Sequence, residues 1–214
     1  MEGPAAVRSA LGELRAGRPL LLRDGEGATT TGFLVVAAEA TGAAEVNLLA
    51  REGRGLICLA LSADRCDELG LALLPRRGRA AISKEFTVSI EARVGVTTGI
   101  SAADRARTIA VACDPVADHE DLRTPGHVFP LRARPGGLRE RAGEAEAAVE
   151  LARLAGFHPA ATICEVLDED GRLAQGAELA AFERRHQLAS VSFAALLSVS
   201  GQRAARSGRH PAAA

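Results

Sequence analysis

The sequence has 214 residues, with 26 Lys plus Arg against 27 Asp plus Glu, and its formal net charge is -1. This balance provides no overall field that would attract nucleic acid or an anionic membrane surface, so the sequence argues against both as partners. Only 3% of the residues are aromatic, with no Trp or Tyr, and the stacking surfaces of single-strand binders are therefore missing as well.

The N-terminus and the cysteines indicate a cytoplasmic protein. No apolar run approaches the roughly 18 residues that a membrane span needs, and no basic stretch leads into an apolar segment at the N-terminus. The four cysteines are scattered, without a CxxC pair or a histidine at zinc-finger spacing. We expect reduced, structural thiols and a cytoplasmic location.

Apolar periodicity predicts helices and strands that interleave along the whole chain. The predicted helices are residues 7–17, 42–52, 62–69, 101–112, a helix that ends at Gly156, 175–187 and 192–199. The predicted strands are residues 19–22, 33–38, 55–59, 85–91, 128–131 and 162–167. This alternation indicates the α/β class, with helices that cover a mixed β-sheet. We expect one domain over residues 1–200 and a flexible C-terminal tail over 201–214.

Two polar segments stand out between these elements. Residues 24–32 form a glycine-rich loop between two buried strands, and a loop in this position is more than a connector. Residues 75–81 contain three arginines and are predicted to form a basic loop. The basic loop is either a solvated surface segment or a cover for an anionic ligand.

The segment from Gly95 to Arg105 runs from a predicted strand through a polar turn into a helix. Ser101 is a candidate N-cap, and Asp104 follows at the spacing of a capping box. Thr97, Thr98 and Gly99 bring hydroxyls and backbone N–H groups to the positive end of the helix dipole, where proteins bind phosphate or carboxylate groups. The pattern fits both a structural turn and an anion-binding site.

A series of motifs follows one order along the chain, at residues 55–58, 95–105, 125–132, 136–137, Glu146, 151–159, 164–165 and 170–171. Together they resemble the 3,4-dihydroxy-2-butanone 4-phosphate synthase family, the lyases of riboflavin biosynthesis that act on ribulose 5-phosphate. The resemblance covers nearly everything from residue 5 to residue 198. It implies the family's α/β fold, a homodimer with active sites near the subunit interface, and a small phosphorylated substrate.

The resemblance also implies roles for individual residues. His127 and Glu165 match the two residues that the family uses in proton transfer, and Arg141 matches a substrate-binding arginine. Thr98, Ser101 and Arg105 match a further part of the substrate site. From the residue types alone, a histidine exchanges protons near neutral pH, and a carboxylate in a buried strand needs a partner.

The sequence departs from the family at the metal ligands. Thr29 stands where the family has a metal-binding glutamate, and Glu144 stands where it has a metal-binding histidine. In the same glycine-rich loop and the strand after it, Ala28 replaces a substrate-contacting arginine and Phe33 replaces an aspartate. We therefore expect Thr29 and Glu144 to contact substrate, no metal ligands and no cofactor, although a hydrated Mg²⁺ ion on Glu144 stays conceivable.

Three functions remain open on this basis. The first is a diverged lyase or isomerase that acts on a sugar phosphate through His127 and Glu165 without the usual magnesium site, in a specialised pathway. The second is a non-catalytic relative that binds a ligand or a partner protein. The third is an ordinary synthase of riboflavin biosynthesis.

Overall fold

The computed structural model describes residues 3–75 and 84–207 of the chain, and side chains up to residue 200. The helices are α1 (Pro4–Arg15), α2 (Ala43–Leu48), α3 (Ala63–Glu68), α4 (Ala102–Cys113), α5 (Glu144–Ala155), α6 (Gly176–His186) and α7 (Phe193–Ser207). The strands are β1 (Leu20–Asp24), β2 (Thr31–Ala37), β3 (Arg54–Leu61), β4 (Ile90–Ala92), β5 (Leu122–Arg132), β6 (Ala160–Val166) and β7 (Ser190–Ser192).

The strands form one mixed sheet in the order β4-β5-β3-β6-β2-β1-β7. The pairs β3–β5 and β1–β7 are parallel, and the remaining neighbours are antiparallel. The central strands β2, β3 and β6 are buried over most of their length, as strands with both faces covered must be. The predicted fold class, a mixed sheet covered by helices, is confirmed.

Helices cover the sheet on both faces, and alternate residues of each strand face the two layers. In β2, Leu34 and Val36 belong to the core that includes Val46 of α2 and Ile109 of α4. Phe33, Val35 and Ala37 belong to the other core, which includes residues of α1, α5 and α7. We call these two sides the α4 face and the α5 face. The site described below lies on the α5 face.

Most predicted elements are present, but two differ for identifiable reasons. The predicted strand 85–91 is regular only from Ile90, and Phe86 and Thr87 form isolated bridges. This segment runs beside Pro130, which has no N–H to donate and interrupts the ladder. Strand β5 begins at Leu122 rather than at 128, so His127 lies inside a strand and not at the end of a loop.

Helix α7 runs to Ser207, beyond the end predicted at residue 199. The flexible tail over residues 201–214 stays a prediction. The predicted basic loop 75–81 lies almost entirely outside the described residues. Among the described residues, no helix is both long and apolar enough to span a membrane.

Candidate active site

A row of side chains crosses four adjacent strands on the α5 face. Phe33 of β2 is directly opposite Glu165 of β6. In β5, Phe129 packs against the same core as Phe33, and His127 comes two residues before it, so alternation along the strand sets His127 on this face as well. The strands of Glu165 and His127 are separated by β3, and strands two apart in a sheet lie about 10 Å from each other. The two residues predicted to transfer protons therefore share one face of the sheet.

His127 is oriented by a carboxylate that sequence reasoning did not identify. His127 Nδ1 lies 2.8 Å from Glu91 Oε2, and the imidazole is 44% exposed whereas the Glu91 side chain is 14% exposed. A carboxylate on one ring nitrogen fixes the ring and leaves the other nitrogen free to exchange a proton. The exposed ring beside a half-buried carboxylate has the arrangement of an acid–base pair.

Gly99 permits this arrangement. Its φ is +86°, and a Cβ atom at Gly99 would overlap with the Glu91 carboxylate. Glycine is the residue that adopts this backbone conformation without strain. The turn before α4 therefore packs directly against the carboxylate that holds His127, which explains why a glycine is needed at this position.

Glu165 also has a partner that the sequence did not reveal. Its Oε1 lies 2.7 Å from Lys84 Nζ, and the same ammonium is 3.3 Å from Oε1 of Glu144, the first residue of α5. Burial lowers the pKa of Lys84, but the hydrogen bond to Glu165 and the charges of both carboxylates outweigh it and raise the pKa. Lys84 is therefore protonated at neutral pH, and it neutralises part of the charge of this pair.

The turn from Gly95 to Ser101 is stabilised by hydrogen bonds with groups at the start of α4. Ser101 caps α4 as predicted, with its Oγ accepting a hydrogen bond from the N–H of Asp104. The buried carboxylate of Asp104 accepts hydrogen bonds from the Thr97 N–H and hydroxyl and from the Gly99 N–H. Two of the amide groups that we considered for an external anion thus bind an internal one.

These contacts predict a pH-dependent contribution to stability. The Thr97 hydroxyl, together with the amides of Thr97 and Gly99, lowers the pKa of Asp104 below its usual value. Because the folded pKa is depressed, the stabilisation is present above the unfolded pKa of about 3.9 and is lost as the pH falls through the folded value. We expect Asp104→Asn to lower the melting temperature by several degrees at pH 7 and by progressively less below about pH 4.

Thermal unfolding followed by circular dichroism between pH 7 and pH 3 checks this. The matched control is Asp64→Asn, since Asp64 is an exposed aspartate in the first turn of α3. A destabilisation by Asp104→Asn that stays constant over the whole pH range would contradict the assignment.

Arg141, predicted to bind substrate, already has a protein partner. Its Nε and Nη2 donate to Glu146 Oε1 at 3.0 and 2.6 Å, and its Nη2 also contacts the Arg132 carbonyl. Glu146 is 1% exposed, and its Oε1 accepts a further bond from the Arg134 N–H. The guanidinium is fixed at the start of α5, next to Glu144.

The remaining predicted residues are not brought into this cluster. Thr29 is exposed and its hydroxyl donates to the Glu26 carbonyl in its own turn. Thr98 is exposed at the tip of the turn before α4. Arg105 belongs to α4, on the opposite face of the sheet, and its Nε is buried without a hydrogen bond partner among the described residues. Role assignments for these three residues stay predictions.

Fold and site together define an α/β protein with two paired acid–base side chains on one face of its sheet, and comparison with known proteins identifies the family. The model of the 3,4-dihydroxy-2-butanone 4-phosphate synthase family matches residues 8–199. The chain belongs to this family.

Individual relatives of this chain are named as synthases of the same family. The 3,4-dihydroxy-2-butanone 4-phosphate synthase of Cronobacter sakazakii is 42% identical over 192 residues, which cover 90% of this chain and 88% of the relative. The synthase of Pseudomonas aeruginosa is 45% identical over 185 residues, which cover 86% of this chain and 51% of the relative. The chain spans about a third to a half of the length of several of the relatives it matches.

The solved structures correct one expectation. A 3,4-dihydroxy-2-butanone 4-phosphate synthase described as a complex with two magnesium ions superposes with a TM-score of 0.84 at 32% identity, over 94% of this chain and 98% of that one. A metal cofactor is therefore typical of this family, and our expectation of no cofactor was wrong. Two substituted ligand positions in the sequence were insufficient evidence, because other carboxylates can hold a hydrated Mg²⁺ ion.

The described residues can be tested for a fit to such an ion. They contain no group of three or more His, Cys, Asp or Glu side chains that could hold a metal. Two carboxylates do converge, since Glu144 and Glu165 both contact Lys84 Nζ. Oε1 of Glu144 is buried and makes no hydrogen bond of good geometry within residues 3–75 and 84–200. Mg²⁺ commonly binds one or two carboxylates and keeps several waters, so this pair fits a hydrated ion.

Proposed function

We propose that this protein is a lyase of the 3,4-dihydroxy-2-butanone 4-phosphate synthase type, which converts ribulose 5-phosphate or a close analogue with release of formate. The observation that carries the proposal is the location of His127 and Glu165 on one sheet face, each with an ionisable partner within hydrogen-bonding distance. Relatives at 42% and 45% identity that are named synthases support this ordinary reaction, which the sequence alone had ranked third.

His127 and Glu165 supply the proton transfers in this proposal. Glu91 orients the His127 ring so that its exposed side takes a proton from the substrate or returns it. Glu165 acts on a second position of the substrate, and the Lys84 ammonium neutralises its charge when no metal ion is bound. A substrate that reaches both groups would lie across β3.

A magnesium ion, when bound, would be held by Glu144 and Glu165 and would stabilise negative charge that develops on the substrate oxygens. Arg141 lies at the edge of the same cluster and is proposed to contact the substrate from its fixed position. Thr98, Ser101, Arg105 and Thr29 lie outside this cluster within one chain, and their proposed role in binding the substrate rests on the family resemblance. We also propose a homodimer, as the family resemblance implies.

Formate release is the decisive readout. Purified protein is incubated with ribulose 5-phosphate, once with added Mg²⁺ and once with EDTA, and formate is followed by proton NMR. We expect formate with Mg²⁺ and a strong reduction with EDTA. Thermal stabilisation by the sugar phosphate without any formate would contradict the lyase and favour a ligand-binding protein.

A further inference from the structure

Lys84 is the single lysine of the chain, among 26 Lys plus Arg residues in total. Every other basic site uses arginine, whose planar guanidinium suits fixed, bidentate contacts. The lysine ammonium is a compact charge on a flexible side chain, so it fits into a small space between two carboxylates. The only lysine of the sequence lies where two carboxylates converge, a position that suits a compact ammonium group.

The surroundings of Lys84 form a cation site from three elements. Glu165 of β6 and Glu144 of α5 lie 2.7 and 3.3 Å from Nζ, and the centroid of the Phe33 ring of β2 lies 5.4 Å from it. An aromatic face at this distance adds an attraction for a cation. Glu144 is 9% exposed, and its Oε1 has no well-aligned hydrogen bond to any residue that the structure describes. Two acids brought together in this way need a positive charge between them.

We infer that the Lys84 ammonium and a divalent cation compete for this position, so that Lys84 is a built-in competitor of metal binding. Two cations cannot share it, because two positive charges about 4 Å apart repel each other strongly at the low effective dielectric of such sites. A divalent ion therefore binds the two carboxylates only when the Lys84 side chain moves away. The inference concerns cation binding alone and does not require that the chain catalyse the proposed reaction.

Manganese binding to the purified full chain without substrate tests this, with free Mn²⁺ measured by electron paramagnetic resonance. Lys84→Met keeps the apolar stem and removes the charge, and Lys84→Arg keeps the charge. We expect Lys84→Met to bind Mn²⁺ about tenfold more tightly than wild type or more, because the competing charge is gone. Lys84→Arg should bind no more tightly than wild type. Adding Glu144→Gln to Lys84→Met should remove the gain.

The single lysine also permits a direct readout on the wild-type protein. Lysine labelled with carbon-13 at the ε position gives one side-chain NMR signal, from Lys84. We expect this signal to shift as Mn²⁺ or Mg²⁺ is added, and to do so far less in a Glu144→Gln variant. Circular dichroism confirms that each variant is folded. Equal Mn²⁺ affinity of folded Lys84→Met and wild type, or a Lys84 signal that is insensitive to Mg²⁺, would overturn the inference.

Discussion

Replacing Glu165 by glutamine is expected to reduce the rate of formate release by about 10²–10⁴-fold, the range typical for loss of a general acid or base. Glutamine has nearly the same shape but cannot accept a proton, so at saturating Mg²⁺ the binding of the sugar phosphate should change only a few-fold. The side chain is half-buried, and its Oε1 contacts Lys84. Single-turnover formate production, measured at saturating substrate, separates the chemical step from binding.

The matched control is Glu169→Gln, since Glu169 is exposed a few residues beyond Glu165. It should retain the wild-type rate. His127→Gln should lose activity to the same extent as Glu165→Gln, whereas Glu91→Gln should retain part of it and shift the pH profile, because Glu91 acts on the substrate only through His127. A folded Glu165→Gln protein with the full rate would show that Glu165 is not the proton-transfer group.

The largest effect on stability is expected at Glu146. Its side chain has no exposed surface, and its Oε1 bonds both the Arg141 guanidinium and the Arg134 N–H. Glu146→Ala removes these contacts and leaves the partly buried charge of Arg141 without this partner. We expect the free energy of unfolding to fall by about 3–5 kcal/mol, as for other broken buried pairs.

Urea unfolding measures this loss. The control is Asp170→Ala, because Asp170 and Arg172 form a pair in which both side chains are more than two thirds exposed. Such surface pairs contribute about 0–1 kcal/mol. If Glu146→Ala lowered the free energy of unfolding no more than Asp170→Ala does, the contact between Glu146 and Arg141 would behave like a surface ion pair. Arg141 could then exchange this contact for one with the substrate.

The fold could be predicted from the sequence where local signals determine it. Ser62 and Ser101 begin helices because a hydroxyl next to the first turn accepts a backbone hydrogen bond, which depends on a few consecutive residues. Gly156 ends α5 with φ +94°, again a local property. The start of β5 was missed because Pro125 and Gly126 are typical of a turn, although here they lie within the strand.

The site could be predicted only in part, because its decisive contacts join residues far apart in the chain. His127 and Glu165 were identified through the family resemblance, but their partners were not. Glu91 precedes His127 by 36 residues, and Lys84 precedes Glu165 by 81. No periodicity or motif relates such pairs. The cofactor expectation was wrong because it rested on two substituted positions, whereas a solved relative is described as a complex with two magnesium ions.

The central claim, that His127 and Glu165 move protons on a ketose phosphate, is tested most directly by hydrogen exchange at the substrate. Ribulose 5-phosphate is incubated with the protein in D₂O, and loss of the carbon-bound hydrogen next to the carbonyl is followed by NMR. The account predicts rapid deuterium incorporation with wild type, and none above background with folded His127→Gln or Glu165→Gln protein that still binds the sugar phosphate. Exchange at the wild-type rate in both variants would contradict it.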